Sequence, residues 1–391
     1  MPHMPRLSGA LALALATTLS LPPAARADGN DARLRAAVDA AIRPLMTEHD
    51  VPGMAVAVTV DGRSSVFTYG VASRETSQPV EAGTLFEIGS VSKIFTATLA
   101  AYAQALGKLS FDDHPSRYLR ELQGRPIDQA SLLHLGTYTA GGLPLQFPNT
   151  VASATQTVRY FRDWRPDAAP GVQRRYSNPS LGLFGNLAGR ALGRDFAEAM
   201  ETEIFPRLGL SHSHIRVPQS ALARYAWGYA RANRPIRVGP GPFAAEAYGV
   251  KTTAGDMIRF VEANIDPSRL DPPMRRAVET THLGFFRTSA MIQALGWEQY
   301  PYPVALETLL AGNARALSTD PVTALTPPQA PTAPMLFNKT GSTNGFGAYV
   351  AFVPSRRIGL VMLANRNVPI PARIRAAHAI LAQLARANGE E

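Results

Sequence analysis

Three short motifs of this chain carry the side chains that acyl transfer to a serine requires: Ser90-Val-Ser-Lys93, Tyr176-Ser-Asn178 and Lys339-Thr-Gly341. A serine hydroxyl attacks a carbonyl readily only when a neighbouring group takes its proton, and a lysine or tyrosine of lowered pKa can do so. Each motif alone is common in surface helices and turns. Because all three occur in order and in fitting local contexts, the sequence predicts that they form one active site.

Ser90 is the predicted nucleophile. It precedes an apolar run over residues 91–102 that predicts a helix, and Gly107 is expected to end that helix. At a helix N-terminus the unpaired backbone N–H groups and the helix dipole favour negative charge, as an attacking alkoxide requires. Lys93 lies three residues on and so faces the same side. In a buried cleft this lysine would lose proton affinity and could accept the serine proton.

Tyr176 is the second candidate base. A tyrosine between Lys93 and Lys339 would have its phenolate stabilised, so it could serve the serine first and the deacylating water later. Asn178 offers both a donor and an acceptor, which suits a substrate amide and the positioning of Lys93. The motif follows Pro170-Gly171 and precedes an apolar helix predicted for residues 181–192, so we expect it in a loop.

The third motif leads into a strand predicted for residues 347–353 through a run of small residues. Small side chains at a strand edge let a substrate backbone approach closely, and a Cβ at Gly341 would clash there. The N–H groups of Ser342 and Ser90 would then form an oxyanion hole, in which each donor contributes about 3 kcal/mol.

The two ends of the chain predict one sheet. Residues 54–60 and 64–69 read as strands joined by Asp61-Gly62, a strong hairpin signal. Residues 347–353 and 358–363 repeat the pattern, and helices are predicted over 31–46 and 371–387. Between them, helical periods dominate. We therefore predict an α/β (α+β) fold, with an α/β subdomain over 28–104 and 230–391 and a helical subdomain over about 105–229 that meets it at a cleft.

The N-terminus reads as an export signal. An apolar stretch from Leu7 to Leu21 precedes Ala25-Arg26-Ala27, and cleavage is expected after Ala27. The stretch is short for a membrane anchor and Pro22-Pro23 interrupts it, so the mature protein, residues 28–391, is expected in the periplasm without an anchor.

Composition indicates how the protein is stabilised and which class of binding partner is excluded. The chain has no cysteine, so its stability must come from packing and hydrogen bonds rather than disulfides. Its formal charge is +9, and loss of Arg6 and Arg26 with the leader lowers it to +7. The arginines are scattered without a dense run or interleaved aromatics, which argues against nucleic-acid binding.

No metal or other cofactor is predicted. The close histidine pair His212 and His214 has no neighbouring acid or cysteine in sequence to complete a metal site, and a surface or capping role fits it better. No exposed apolar stripe argues for more than a monomer.

The motifs, together with the stretches Tyr138–Gln146 and Tyr225–Tyr229, closely resemble the class C (AmpC-type) β-lactamases over essentially the whole mature chain. Tyr-Ser-Asn stands where class A enzymes carry Ser-Asp-Asn, and no class A glutamate motif for deacylation is evident. The resemblance implies the serine β-lactamase and penicillin-binding-protein fold, and an exported hydrolase that opens the β-lactam amide of cephalosporins and penicillins.

The same resemblance implies roles for individual residues. Ser90 would be acylated, Lys93 and Tyr176 would share proton transfer, and Lys339 and Ser342 would complete the catalytic set. Substrate would be bound by a second group of residues: Gln146 and Asn178 at its amide side chain, Lys339 and Thr340 at its carboxylate, Gly341 at the strand edge, Tyr248 at the side-chain pocket, and Asn367 and Arg373 near the carboxylate.

Two positions depart from familiar members of that family. Ile370 stands where an asparagine is often found, and Asn338 precedes Lys-Thr-Gly where a histidine is common. Ile370 removes a possible hydrogen bond to the substrate carboxylate, so we expect modest changes in substrate or inhibitor preference.

Three alternatives remain open at this point. A penicillin-binding D-alanyl-D-alanine carboxypeptidase shares the fold and the acylation step but loses its acyl group slowly to water. A serine esterase of the same fold usually lacks Lys-Thr-Gly, which is intact here. A non-catalytic binder of cell-wall peptides would be expected to have lost Ser90, Lys93 or Tyr176, and this chain keeps all three.

Overall fold

A computed structural model describes residue 3, residues 23–315 and residues 318–387 of the chain. Its strands are β1 Gly53–Val60, β2 Arg63–Ser73, β3 Gln78–Pro79, β4 Phe86–Glu87, β5 Gln173–Arg175, β6 Gly228–Tyr229, β7 Pro235–Ile236, β8 Lys251–Thr252, β9 Gly284–Arg287, β10 Ile292–Gln293, β11 Glu298–Pro301, β12 Thr319–Pro321, β13 Thr323–Gln329, β14 Met335–Ser342, β15 Gly347–Val353 and β16 Ile358–Ala364.

The helices are α1 Pro23–Glu48, α2 Ser92–Ala105, α3 Leu132–Gly136, α4 Ala154–Asp163, α5 Asn178–Ala191, α6 Phe196–Ala199, α7 Phe205–Arg207, α8 Ala244–Tyr248, α9 Ala254–Ile265, α10 Pro272–Thr281, α11 Leu306–Arg315 and α12 Ile370–Ala387. Short 3-10 turns supplement them, and a π-helical turn over Met200–Ile204 joins α6 to α7.

One large antiparallel sheet organises the molecule. Its ten strands run in the order β13, β9, β10, β11, β14, β15, β16, β1, β2, β3. The first and the last strand of the chain are neighbours in this sheet, where β1 pairs with β16 in the register Met54 to Ala364. Strands β15 and β16 are buried along their whole length, which explains their nearly continuous apolar sequences.

The predicted hairpin is confirmed. Strands β1 and β2 pair from Val60 and Arg63 back to Gly53 and Gly70. Asp61 and Gly62 both have positive φ, 52° and 77°, the conformation that a two-residue hairpin of this kind requires.

Two apolar cores lie on opposite faces of the sheet. Alternate residues of β1 divide between them: Val56 and Val58 pack with α1 and α12, whereas Ala55 and Ala57 pack with α2 and α9. Helices α1 and α12 also contact each other, so the terminal helices cover one face together. The predicted mixed fold with a large antiparallel sheet is confirmed.

Two helices begin earlier than the sequence predicts. Helix α1 begins at Pro23 rather than at residue 31, and helix α5 begins at Asn178 rather than at residue 181. Ser177 caps α5 by accepting a hydrogen bond from the N–H of Ser180, so the expected loop around Tyr176 is a strand-to-helix junction. The sequence prediction missed this because Pro179 suggested a turn, although proline is favoured in the first turn of a helix.

The predicted leader, residues 1–27, lies outside the described residues except for residue 3 and the first turns of α1. No helix in the part of the chain that the structure describes is both long and apolar enough to cross a membrane.

Candidate active site

Ser90 lies in a 3-10 turn, Gly89–Val91, that leads directly into α2. Gly89 has a φ of 52°, and a Cβ there would overlap the backbone of Ser342. A Cβ at Gly341 would likewise overlap the carbonyl oxygen of Ile88 and would lie 3.0 Å from the backbone nitrogen of Ser90. The two glycines therefore let β14 and the Ser90 turn pack backbone against backbone.

The structure gives a different reason from the sequence for the need for glycine at position 341. The predicted clash exists, but it is with the protein's own Ile88 carbonyl and the Ser90 turn. Gly341 is thus needed to bring the backbone of Ser342 beside that of Ser90, before any substrate arrives.

Lys93 lies at the second residue of α2 and is completely buried. Its Nζ donates to the Ser90 hydroxyl at 2.9 Å and to the Ala247 carbonyl at 2.6 Å. Burial lowers the pKa of Lys93 to about 8, with a further contribution from the charge of Lys339 and an opposing one from Tyr176. A lysine of this pKa can give up or take a proton near neutral pH.

Tyr176 is buried directly after β5. The Nζ atoms of Lys93 and Lys339 lie 5.1 Å and 5.0 Å from its ring centroid. Burial raises the pKa of Tyr176, but Lys339 and Lys93, with the nearby Ser90 hydroxyl, lower it by more, to about 8. The hydroxyl makes no hydrogen bond of ordinary geometry within the described part of the chain, so the field of the two ammonium groups dominates.

The concentration of lysine at this place is notable because the chain has only four lysines, at 93, 108, 251 and 339. Two of the four flank one tyrosine. Arginine supplies the rest of the positive charge, yet only lysine changes its protonation readily when it is buried. The choice of residue type therefore fits proton transfer better than simple charge pairing.

Lys339 also has a buried anion that sequence reasoning missed. Its Nζ lies 3.7 Å from Oε1 of Glu298, and the guanidinium of Arg174 lies 3.8 Å from the same oxygen. Arg174 is fixed by a 2.6 Å hydrogen bond from Nε to Gln293 and lies over the rings of Tyr138 and Tyr176. The carboxylate of Glu298 compensates two buried cations beneath the site.

A cleft of about 440 Å³ opens above Ser90. Ten of the predicted site residues line it: Ser90, Gln146, Tyr176, Asn178, Tyr248, Lys339, Thr340, Gly341, Ser342 and Asn367. The other lining residues are Leu145, Val238, Asn313, Thr343, Asn344 and Ile370.

Backbone hydrogen bonds at both ends of the segment 138–145 place Gln146. At the first end, Tyr138 has a φ of 65°, and its carbonyl accepts a hydrogen bond from the N–H of Arg175 at 2.9 Å. At the other end, the Leu145 carbonyl accepts from the N–H of Asn178 at 3.0 Å. These bonds hold Gln146 beside Asn178 on one wall of the cleft.

Two predicted residues do not line the cleft. Lys93 lies beneath Ser90, and Arg373 is buried behind β14. The guanidinium of Arg373 donates to the carbonyls of Gly341 at 2.5 Å and Ala348 at 2.7 Å, and to the Ser342 hydroxyl at 2.8 Å. Burial lowers the pKa of Arg373 to about 10, so it remains a cation. In this structure it supports the strand edge from behind.

The two positions that depart from the family lie in different environments. Ile370, the first residue of α12, lines the cleft. Asn338 is completely buried in β14, where its amide approaches the Glu298 carbonyl at 3.4 Å. Only Ile370 can therefore touch a molecule in the cleft.

Glu87 is a further residue that the sequence analysis missed. Although it lies in the apolar stretch just before Ser90, it is buried and accepts from Thr343 at 2.6 Å, Tyr225 at 2.5 Å and the N–H of Val238 at 2.7 Å. It therefore connects two lining residues, Thr343 and Val238, to the chain next to Ser90. The sequence signal that could have identified Glu87 is an acidic residue within an apolar run.

The histidine pair lies elsewhere. His212 Nδ1 is 3.9 Å from Asp256, an acid that is distant in sequence, but Asp256 already accepts from the N–H of His212 and the hydroxyl of Ser213. Across residues 23–315 and 318–387, no group of three or more histidine, cysteine, aspartate or glutamate side chains is arranged to hold a metal ion.

Known proteins are similar to this chain in sequence and in structure. The Beta-lactamase family model matches residues 38–385. A beta-lactamase of Pseudomonas fluorescens is 50% identical over 353 residues, which are 90% of this chain and 99% of that protein.

Two solved structures are also similar. A class C beta-lactamase in complex with cefoxitin superposes with a TM-score of 0.88 at 44% identity, covering 90% of this chain and 99% of that one. The D-alanine carboxypeptidase AmpC of Burkholderia cenocepacia superposes with a TM-score of 0.86 at 49% identity, with the same coverage of both chains.

Proposed function

The chain belongs to the beta-lactamase family and is a class C enzyme, and on that premise we propose that it hydrolyses cephalosporins and penicillins through an acyl-enzyme on Ser90. One observation carries this proposal. Lys93 Nζ lies 2.9 Å from the Ser90 hydroxyl, and the buried Tyr176 beside them has its pKa lowered to about 8 by two lysines. This arrangement can remove a serine proton near neutral pH.

Acylation follows from these positions. The Tyr176 phenolate takes the Ser90 proton while the Lys93 ammonium compensates the charge, and the serine oxygen attacks the β-lactam carbonyl. The N–H groups of Ser90 and Ser342 stabilise the resulting oxyanion, at about 3 kcal/mol for each donor. When the ring C–N bond breaks, Tyr176 returns the proton to the departing nitrogen.

Deacylation uses the same groups in a second cycle. Tyr176 takes a proton from a water molecule that attacks the ester carbonyl, and the proton then passes to the Ser90 oxygen as the ester bond breaks. The cationic neighbours keep part of Tyr176 ionised throughout, because both lysines lower its pKa.

Substrate recognition is proposed for the walls of the cleft. Gln146 and Asn178 hold the amide side chain and Tyr248 lines its pocket. Lys339, Thr340 and Asn367 face the carboxylate, with Arg373 supporting Gly341 and Ser342 from behind. Ile370 adds an apolar contact at a position where a hydrogen-bonding residue is frequent in the family, so the carboxylate relies more on Lys339 and Thr340.

The cleft draws on both proposed subdomains. Gln146 and Asn178 belong to the helical part, residues 105–229, whereas Ser90 and Lys339 belong to the α/β part, residues 28–104 and 230–391. We also propose that residues 1–27 direct export to the periplasm and that the mature protein acts as a monomer.

A D-alanine carboxypeptidase is the second candidate, because a structural relative at 49% identity carries that name. The same nucleophile and bases would cleave a D-alanyl-D-alanine peptide. The two activities differ in which acyl group leaves Ser90 quickly and in which amide the cleft accepts.

Hydrolysis of a chromogenic cephalosporin and of a D-alanyl-D-alanine peptide, compared on the same preparation of residues 28–391, tests this proposal. We expect rapid cephalosporin turnover that is lost in Ser90→Ala and kept in Ser64→Ala, an exposed serine of β2. Faster turnover of the peptide than of the cephalosporin would favour the carboxypeptidase. Turnover of a simple aryl ester alone would favour the esterase, and no turnover of any substrate would favour the non-catalytic binder.

A further inference from the structure

A second cavity, of about 490 Å³, shares no lining residue with the catalytic cleft. It lies between α4, α5 and the chain segment 240–243 that leads into α8. Its walls are mainly apolar and include Leu119, Phe161, Leu183 and Phe243. Two of its aromatic residues stack on each other in the wall, since the ring centroids of Phe161 and Phe243 are 6.1 Å apart at an interplanar angle of 27°.

One end of this cavity is polar and positively charged. Asn186 and Arg190 lie one turn apart on α5, and Arg190 Nε donates to the Asn186 side chain at 2.9 Å. Within the described ranges, Arg190 has no acidic residue at ion-pair distance, and its other guanidinium N–H groups make no hydrogen bond. A guanidinium presented in this way can bind a carboxylate through two hydrogen bonds.

The wall of this cavity is continuous with the catalytic machinery. Segment 238–248 contributes Val238 and Tyr248 to the cleft, and its residues 240–243 line the second cavity. The Ala247 carbonyl of the same segment accepts the 2.6 Å hydrogen bond from Lys93.

Phe243 connects the second cavity to α8, the helix whose Ala247 carbonyl accepts from Lys93. It directly precedes α8 in a left-handed conformation, with a φ of 51°, and lies so close to α5 that a Cβ added at Gly182 would be 2.5 Å from the Cβ of Phe243. Because Phe243 directly precedes α8, a ligand that shifts its backbone also shifts the start of α8.

From this arrangement we infer that the cavity between α4, α5 and residues 240–243 is an effector site for an aromatic monocarboxylate. The aromatic body packs against the wall that includes Phe161 and Phe243, and the carboxylate binds Arg190. Occupancy displaces the start of α8 and so changes the position of the Ala247 carbonyl against Lys93. The binding part of this inference does not depend on the reaction proposed for the cleft.

Binding of 2-naphthoate to the full mature chain, measured by the fluorescence of the probe, tests the site. Arg190→Gln removes the proposed partner, and Arg162→Gln removes a matched exposed arginine of α4 that does not line the cavity. Lys339→Gln changes the catalytic cleft, so it would lose binding if the probe bound there instead. The neutral 2-naphthamide has the same aromatic body without the charge.

We expect saturable naphthoate binding that weakens by about tenfold or more in Arg190→Gln, as loss of a charged hydrogen-bonded pair predicts. Arg162→Gln and Lys339→Gln should bind as the unmodified chain does, and the amide should bind equally to all four proteins. Loss of binding in Lys339→Gln, equal binding to every variant, or no saturable binding at millimolar probe would each overturn the inference.

The link to the cleft has its own readout. Naphthoate at a concentration that just saturates the unmodified chain should change its kcat for a chromogenic cephalosporin and should change that of Arg190→Gln much less, because the displaced group is the Ala247 carbonyl that accepts from Lys93. An increase in KM alone would mean competition in the cleft, and it would overturn the effector role. An unchanged kcat with demonstrated binding would overturn the coupling.

Discussion

At the scale of single residues, Tyr176 is a buried phenol whose ionisation two neighbouring cations favour. Burial alone would raise its pKa above the ordinary value of 10, yet Lys339 and Lys93 bring it to about 8. Lys93 also has its pKa lowered to about 8, so these two groups exchange a proton at little cost. The reactive pair is thus set by charge and desolvation together.

The pH dependence follows with a definite sign. Below about pH 8, the ionised fraction of Tyr176 rises with pH, so kcat/KM for a cephalosporin should rise from pH 6 to about pH 8, and above that it should fall as the Lys93 ammonium loses its proton. Lys339 lowers the pKa of both Tyr176 and Lys93. Lys339→Met should therefore shift the rising limb to higher pH as well as weaken carboxylate binding.

The measurement is a pH profile of kcat/KM for the unmodified chain, Lys339→Met and the surface control Lys108→Met. Lys108 is exposed, so its replacement should leave the profile in place. A limb that stays at the same pH in Lys339→Met would contradict the role given to that ammonium group.

At the scale of elements, the site depends on the contact between strand β14 and the turn before α2. Glycines at 89 and 341 allow this contact, and Arg373 holds it from behind through the Gly341 carbonyl and the Ser342 hydroxyl. None of these groups touches the reacting atoms directly, yet together they set the separation of the two N–H donors proposed for the oxyanion.

Gly341→Ala tests that contact. The new Cβ overlaps the Ile88 carbonyl, so β14 must move away from Ser90, and the oxyanion donors lose alignment. Loss of one such donor lowers kcat by about a hundredfold to a thousandfold. We expect a loss of that order, measured as kcat on a chromogenic cephalosporin.

Gly255→Ala is the matched control. Gly255 lies in α9, where a Cβ would meet only the Thr253 hydroxyl oxygen, at 3.8 Å, so alanine fits there. It should leave kcat unchanged and raise the unfolding free energy slightly, since alanine favours helices over glycine. Normal kcat in Gly341→Ala would contradict the proposed role of this contact.

At the scale of the whole molecule, the sheet separates two apolar cores, of which only one underlies Ser90. The core beneath α2 and α9 lies on the face of the sheet that bears Ser90, whereas the core beneath α1 and α12 lies on the opposite face and reaches the cleft only at Ile370. Changes in the second core should therefore affect stability more than chemistry.

Ile380→Ala tests this separation. Ile380 of α12 is completely buried in the second core, and its truncation should lower the unfolding free energy by about 2–5 kcal/mol. Gln383→Ala changes an exposed residue of the same helix and should change stability little. Denaturant unfolding and kcat at a temperature where both variants remain folded give the comparison; a large fall in kcat for folded Ile380→Ala would show that the cores are not independent.

The sequence predicted those features whose signals are local. The Asp61-Gly62 hairpin, the helix after Ser90 and the three motifs each depend on neighbouring residues, and the structure brings the motif residues to one place. The groups that it missed depend on distant partners: Glu87 bonds Thr343 across 256 residues of sequence, and Glu298 meets Lys339 and Arg174 only in the folded sheet. Such buried charges gain their partners from topology, which a single sequence does not display.

We propose above all that Tyr176, whose pKa Lys93 and Lys339 lower, transfers the protons in both the acylation and the deacylation of Ser90. Rapid-quench mass spectrometry of residues 28–391 mixed with a cephalosporin tests it directly, with Tyr176→Phe as the variant. We predict a covalent adduct on the Ser90 peptide that forms and disappears at the rate of turnover, and that in Tyr176→Phe both forms and decays much more slowly. An adduct on another residue, an adduct that persists in the unmodified chain, or unchanged rates in Tyr176→Phe would contradict the account.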